Sequence, residues 1–178
     1  MSHYKNLVFK GGGVRGIAYI GALQYLYERG IMPHIRRVAG TSAGAITALG
    51  VAMNPTDFMG FRTLADSLDY RKVPSEQDEN TEKLTSKRLI AIIEHYRELA
   101  IFKNLQCSIR LLQEKGWYSS EYLYTWLRSI IAEYFTVAKE IYTFADFANT
   151  QIHRDGRPFL DLYITGTDVS NRTARLFS

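Results

Sequence analysis

The sequence predicts an α/β fold on two observations. Twice near its start, a short apolar, strand-like run passes through a glycine-rich turn into a helical run. Gly11, Gly12, Gly13 and Gly16 build the first turn, and Gly40 and Gly44 frame the second. With 46% hydrophobic and 22% charged residues, the 178-residue composition is that of a globular chain. One domain is expected over residues 1–178.

Taken in order, Asn6-Leu7-Val8-Phe9 reads as the first strand. Residues 17–28 follow as a helix with Tyr19, Leu23, Leu26 and Tyr27 on one face and Gly30 as its C′ stop. Ile35-Arg36-Arg37-Val38-Ala39 reads as the second strand. Residues 45–53 then form a buried helix of small and apolar residues, closed by Asn54-Pro55. Beyond it the pattern is mainly helical. Residues 56–68 suggest a short helix, 74–82 a polar acidic loop, and 86–99 an amphipathic helix. Ser119 and Ser120 precede an aromatic-rich helix over 121–131. Ile101, Phe102, Trp117 and Tyr118 are expected in the core, with an acyl-chain wall or a membrane-facing lid as the alternative.

The two glycine turns carry the chemistry. Gly40-Thr41-Ser42-Ala43-Gly44 places Ser42 on a tight strand-to-helix turn, where helix N–H groups and the positive end of the dipole would favour an alkoxide. Two plain readings stand beside this one: a chance G-x-S-x-G, and a serine that only caps a helix. Gly11-Gly12-Gly13-Val14-Arg15-Gly16 supplies a cradle of uncovered backbone next to it. Acyl transfer requires both parts, an exposed hydroxyl to attack and preorganised N–H donors to meet the oxyanion. The spacing at 11, 13 and 16 also fits a dinucleotide-binding loop, but that fold needs an acid near the end of the second strand. After Glu28 the next acidic residue is Asp57, and no Lys-Ser/Thr follows the glycines as a P-loop would require.

The run Phe9 to Gly16, followed by Gly40-Thr41-Ser42-Ala43-Gly44, resembles the patatin-like phospholipase family. These are lipid acyl hydrolases that use a Ser–Asp dyad. The resemblance implies a three-layer sandwich around a central, mostly parallel sheet, of which this chain would be the N-terminal portion. It implies Ser42 as nucleophile and the backbone N–H groups of Gly11 to Gly13 as oxyanion donors, and it favours a site role for Arg15 in holding a phosphate or carboxylate. Thr143-Phe144-Ala145-Asp146-Phe147 and the run from Leu162 to Asp168 look like a short helix and strand from the family's middle region.

The family's dyad aspartate lies in an Asp-Gly-Gly or Asp-Gly-Ala motif after that strand, and these 178 residues contain none. The chain is therefore expected to be truncated at its C-terminus. Asp155-Gly156, beside Arg157-Pro158, is expected to be a turn. Asp168 is expected to be a turn or capping carboxylate. Of the four histidines, His3, His34, His95 and His153, only the last two follow the serine as an ordinary α/β-hydrolase would require, and neither has a flanking motif.

Implied is a phospholipase A-type reaction on phospholipid or related acyl lipids, with no metal and no organic cofactor. The alternative is an inactive lipid-binding or interaction module that keeps the loop and the elbow. The 22 Lys+Arg against 18 Asp+Glu, a net +4, would favour an anionic lipid surface, but they are dispersed, so nucleic acid is not an expected partner. No motif specifies a protein activator. No signal peptide is expected from the opening residues, and residues 38–54 are expected to be too short and too rich in small residues to span a bilayer. A cytoplasmic or peripheral-membrane location is expected, with export by a signal-independent route as an option. Cys107 is the single cysteine, expected as a buried thiol, so neither an internal disulfide nor a zinc site is expected.

Overall fold

A computed structural model of the chain describes residues 4–73 and 120–178. The expectations placed on residues 74–82, 86–99, Ile101, Phe102, Cys107, Trp117, Tyr118, Ser119 and His95 lie outside them. The chain divides into two compact units, residues 1–68 with 128–178, and residues 69–127.

The first unit is built on a four-stranded sheet in the order β1-β2-β3-β4. Strand β1 covers Asn6–Phe9, β2 Arg37–Thr41, β3 Asp161–Asp168 and β4 Thr173–Phe177. The first three run parallel, with Phe9, Gly40 and Ile164 in one row, and β4 turns back antiparallel to β3. The α/β class and the mostly parallel sheet are thus observed, with β4 an additional strand that the sequence reading did not contain. Every residue of β4 is exposed, so it carries none of the alternation by which half-buried strands are recognised.

Between β1 and β2 the chain makes a 3-10 turn, Gly13–Ile17, and then helix α1, Ala18–Glu28. The expected start at residue 17 is displaced by one because Ile17 closes the tighter turn. Leu23 is buried, and Tyr19, Leu26 and Tyr27 are half-buried, so the inward face is the expected one. Gly30, at φ +66°, ends α1 by a Schellman arrangement in which Ile31 N–H donates to Leu26 O and Gly30 N–H to Tyr27 O.

Helix α2, Ala43–Met53, is the spine of this unit. It packs on β1, β2 and β3, and residues Thr47 to Met53 are all buried. Two corrections to the expected boundaries belong here. Strand β2 begins at Arg37 instead of Ile35 and runs through Gly40 and Thr41, and α2 begins at Ala43 instead of Ala45. The glycines that look like turn residues lie inside the strand and the helix, leaving Ser42 as the whole connection. Helix α3, Phe58–Asp66, starts two residues later than expected because Asp57 caps it, its carboxylate accepting from Gly60 N–H at 3.0 Å.

Helix α4 covers Glu121–Ala132, close to the expected 121–131. Helix α5, Phe144–Ala148, opens on a capping box formed by Thr143 and Asp146. In the second unit, Tyr122 Oη accepts from Asp69 N–H at 2.9 Å, and Lys72 lies over the Tyr122 ring. Among the described residues no helix is long and apolar enough to cross a membrane.

Candidate active site

Ser42 has φ +55° and ψ −126°, a backbone region that non-glycine residues rarely occupy. Holding it there costs on the order of 1–3 kcal/mol, which the surrounding packing must sustain. That packing is visible at the two framing glycines. A Cβ on Gly40 would lie 2.1 Å from Gly44 O, and a Cβ on Gly44 would lie 2.3 Å from Phe9 O and 2.8 Å from Lys10 O. Neither position has room for alanine. Strand β2, helix α2 and the end of β1 therefore meet backbone to backbone, and the residue between Thr41 and Ala43 must make the sharp turn.

The serine side chain is exposed and makes no capping hydrogen bond to its own helix. The plain reading of Ser42 as a helix cap is thereby removed. Thr41, just before it, is tied to β3 by a 2.6 Å hydrogen bond between Thr41 Oγ1 and Thr165 Oγ1. This link joins residues 124 apart in the chain, and neither threonine was singled out for it by sequence.

The first glycine turn comes to the same place. A Cβ on Gly11 would lie 3.1 Å from Thr41 O and 3.2 Å from Ser42 Cβ, so the loop passes directly beside the serine. The backbone N–H groups of Gly11 and Gly12 take no partner among the described residues. Gly13 has φ +57°, the position where glycine is conformationally required. Gly16 is buried against the start of α2, its Cβ position 3.3 Å from Ala43 Cβ. Val14, Arg15 and Ile17 are exposed beside the loop, and no carboxylate pairs with Arg15 among the described residues. The structure thus brings together Ser42, Gly11, Gly12, Gly13, Gly16, Gly40, Thr41, Ala43 and Gly44.

The carboxylates weighed as a base are engaged elsewhere. Asp155 lies in a turn closed by Gly156 at φ +62°, paired at 2.6 Å with Arg157. Asp168 lies at the end of β3, three residues beyond Thr165. It accepts from the Asn171 side chain at 2.8 Å and from Asn171 N–H at 3.1 Å, contacts that hold its pKa below the ordinary value. His153 is 3% exposed and stacked on Phe159 at 3.8 Å, its ring nitrogens facing the carbonyls of Arg157 and Asp146 at 2.8 and 3.2 Å. It is a core residue. Asp146, which sequence did not single out, is buried, bonded to Thr143 and paired with Lys139. That ammonium, with the Thr143 N–H, lowers its pKa to about 2.

A strained, uncapped serine thus lies between two close-packed glycines with a glycine loop folded against it. A family model described as Patatin-like phospholipase matches residues 7–174. The chain belongs to the patatin-like phospholipase family. This patatin-like chain is 53% identical over 70 residues to YqhO of Bacillus subtilis, a match covering 39% of the chain and 23% of YqhO. It is 47% identical over 47 residues to triacylglycerol lipase ptl3 of Schizosaccharomyces pombe, covering 26% of the chain and 9% of the lipase. Among solved structures, VipD from Legionella pneumophila superposes with a TM-score of 0.56 at 19% identity, over 99% of this chain and 39% of VipD. ExoU from Pseudomonas aeruginosa, solved in complex with SpcU, superposes with a TM-score of 0.52 at 23% identity, over 99% of this chain and 35% of ExoU. At such identities the structural likeness is one of fold. The match spans well under half the length of each of these relatives.

Proposed function

We propose that this patatin-like chain carries the nucleophile and oxyanion loop of a lipid acyl hydrolase of the phospholipase A type. Ser42 Oγ attacks the ester carbonyl carbon of an acyl lipid and its proton passes to a carboxylate. The displaced electron pair collects on the carbonyl oxygen, facing the N–H groups of Gly11 to Gly13. Collapse expels the alcohol portion, and water then cleaves the acyl-serine ester to release the fatty acid. The carboxylate belongs, on the family pattern, to an Asp-Gly-Gly or Asp-Gly-Ala motif that these 178 residues do not contain. Asp155 and Asp168 are not assigned the role, since each is held by neighbours of its own.

The observation that carries this reading is the backbone of Ser42, at φ +55° with its side chain exposed and uncapped beside Gly11. A serine with only a structural task would not be kept in a costly conformation with an unused hydroxyl. The name of the yeast relative, a triacylglycerol lipase, supports the substrate class. Val14 and Ile17, 66% and 59% exposed, flank Arg15 beside the loop, an arrangement suited to a lipid surface with an anionic head group.

The test is fatty-acid release from phospholipid vesicles by the full-length protein. Ser42→Ala is expected to lower the rate by roughly 10⁴-fold or more, the order seen when a serine hydrolase loses its nucleophile. Retained activity in that variant contradicts the reading. Vesicle binding with no release by the unaltered protein favours the inactive lipid-binding module. Arg15→Gln is expected to raise KM for phospholipid by roughly tenfold while leaving a neutral acylglycerol unchanged, in line with the loss of one charge-assisted contact. Equal effects on both lipids remove Arg15 from head-group recognition.

A further inference from the structure

A run of three glycines is a poor structural support for an oxyanion hole. Gly11, Gly12 and Gly13 have no side chains with which to hold themselves, and glycine backbone has the widest conformational freedom of any residue. Donors that stabilise a developing charge must be aimed before the reaction, because reorienting them during it forfeits most of their effect. Something outside the loop has to fix it.

The peptide unit that enters the loop, Lys10–Gly11, is held from two sides. From α1, Tyr19 Oη donates to Lys10 O at 2.8 Å. From α2, the missing side chain of Gly44 lets the helix start come against the same carbonyl, the Cβ position lying 2.8 Å from Lys10 O. The Tyr19 ring is itself placed by Phe9, which it meets edge to face at 5.2 Å and 79°. Phe9 is 5% exposed and registered against Gly40 in the sheet. The chain of support runs from sheet core to Phe9, to the Tyr19 ring, to its hydroxyl, to the Lys10 carbonyl.

A trans peptide is planar, and its C=O and N–H point in opposite directions. Fixing the Lys10 carbonyl therefore fixes the Gly11 N–H, the first donor of the loop and the one whose residue lies against Ser42 Cβ. We propose that Tyr19 is a positioning residue for the oxyanion loop, its hydroxyl bond to the Lys10 carbonyl aiming the Gly11 N–H at the reacting oxygen. This rests on the acyl-hydrolase reading above. Tyr19 acts through the peptide and does not touch substrate.

Tyr19→Phe removes only the hydroxyl and keeps the ring on Phe9. It is to be measured in the full-length protein beside Ser42→Ala, using a soluble short-chain ester, a trifluoromethyl ketone inhibitor and a thermal melt. The expected result is a fall in kcat of roughly tenfold, less than the 10²–10³-fold that follows direct loss of an oxyanion donor. KM is expected to stay within about twofold, since ground-state binding is untouched. The ketone, whose hemiketal oxygen mimics the oxyanion, is expected to bind more weakly by about the same factor as kcat/KM falls. The proposal is overturned if kcat is unchanged, or if it falls while ketone affinity does not. It is equally overturned if the loss follows a drop in melting temperature and vanishes on cooling. An active Ser42→Ala protein overturns the acyl-hydrolase reading instead. An inactive Ser42→Ala beside an unimpaired Tyr19→Phe overturns this inference alone.

Discussion

Two regions of the same compact unit treat their polar groups in opposite ways. Around residues 135–159, polar groups are enclosed and partnered. Asp146 closes a capping box and pairs with Lys139, His153 addresses two carbonyls, and Phe135, Phe147 and Phe159 wall them in. Around residues 9–44, Ser42 sits in a strained conformation without a cap, and the N–H groups of Gly11 and Gly12 have no partner among the described residues. Folding alone would favour the first arrangement, because a disfavoured backbone conformation costs free energy. On the proposed reading, the first region is kept for structure and the second for chemistry. The difference also shows why a buried, well-bonded histidine after the serine is no evidence for a triad.

The comparison breaks first at Ser42. Ser42→Gly removes the nucleophile and also relieves the backbone, since glycine adopts φ +55° without penalty. Hydrolysis is expected to fall by roughly 10⁴-fold or more while stability rises by about 1 kcal/mol in denaturant titration. A less stable Ser42→Gly protein would mean that the serine side chain is structural after all. Gly40→Ala is expected to act oppositely, costing about 3 kcal/mol or more because its methyl would meet Gly44 O at 2.1 Å. A Gly40→Ala protein of normal stability would show that the elbow is looser than described.

In the partnered region the expectations reverse. His153→Ala removes a stacked ring and its contact with the Arg157 carbonyl, and is expected to cost about 3 kcal/mol by chemical denaturation. The folded fraction should keep its full reaction rate with a serine-directed probe, and loss of that rate at unchanged stability would return His153 to the catalytic candidates. Asp146→Ala is expected to cost about 1 kcal/mol at neutral pH, the usual loss at a helix cap. Because the folded state lowers the Asp146 pKa from 3.8 to about 2, its carboxylate stabilises the fold above pH 4. That contribution fades as pH falls from about 4 towards 2. The variant should therefore approach the parent in acid, and a stability gap undiminished at pH 2 would assign the effect to packing.

The legible part of this molecule is the part where local sequence and local geometry coincide. Gly40 and Gly44 can be read because backbone contact demands glycine there whatever the rest of the chain does. The inward face of α1 can be read from its 3.6-residue period. Strand β2 lies two residues later than the strand-like run 35–39 suggests, because lack of a Cβ allows Gly40 to remain in the strand under α2. Strand β4 could not be read, as its exposed residues carry no pattern. The Thr41–Thr165 bond, the Asp146–Lys139 pair and the reach of Tyr19 to Lys10 are products of tertiary placement.

The central claim is that Ser42, and no other residue, is the nucleophile. It is tested most directly by reacting the full-length protein with a fluorophosphonate and mapping the adduct by mass spectrometry. The account predicts one adduct, on the peptide containing Gly40-Thr41-Ser42-Ala43-Gly44, absent from Ser42→Ala. An adduct on a different residue, or hydrolysis of lipid by a protein that forms none, would contradict it.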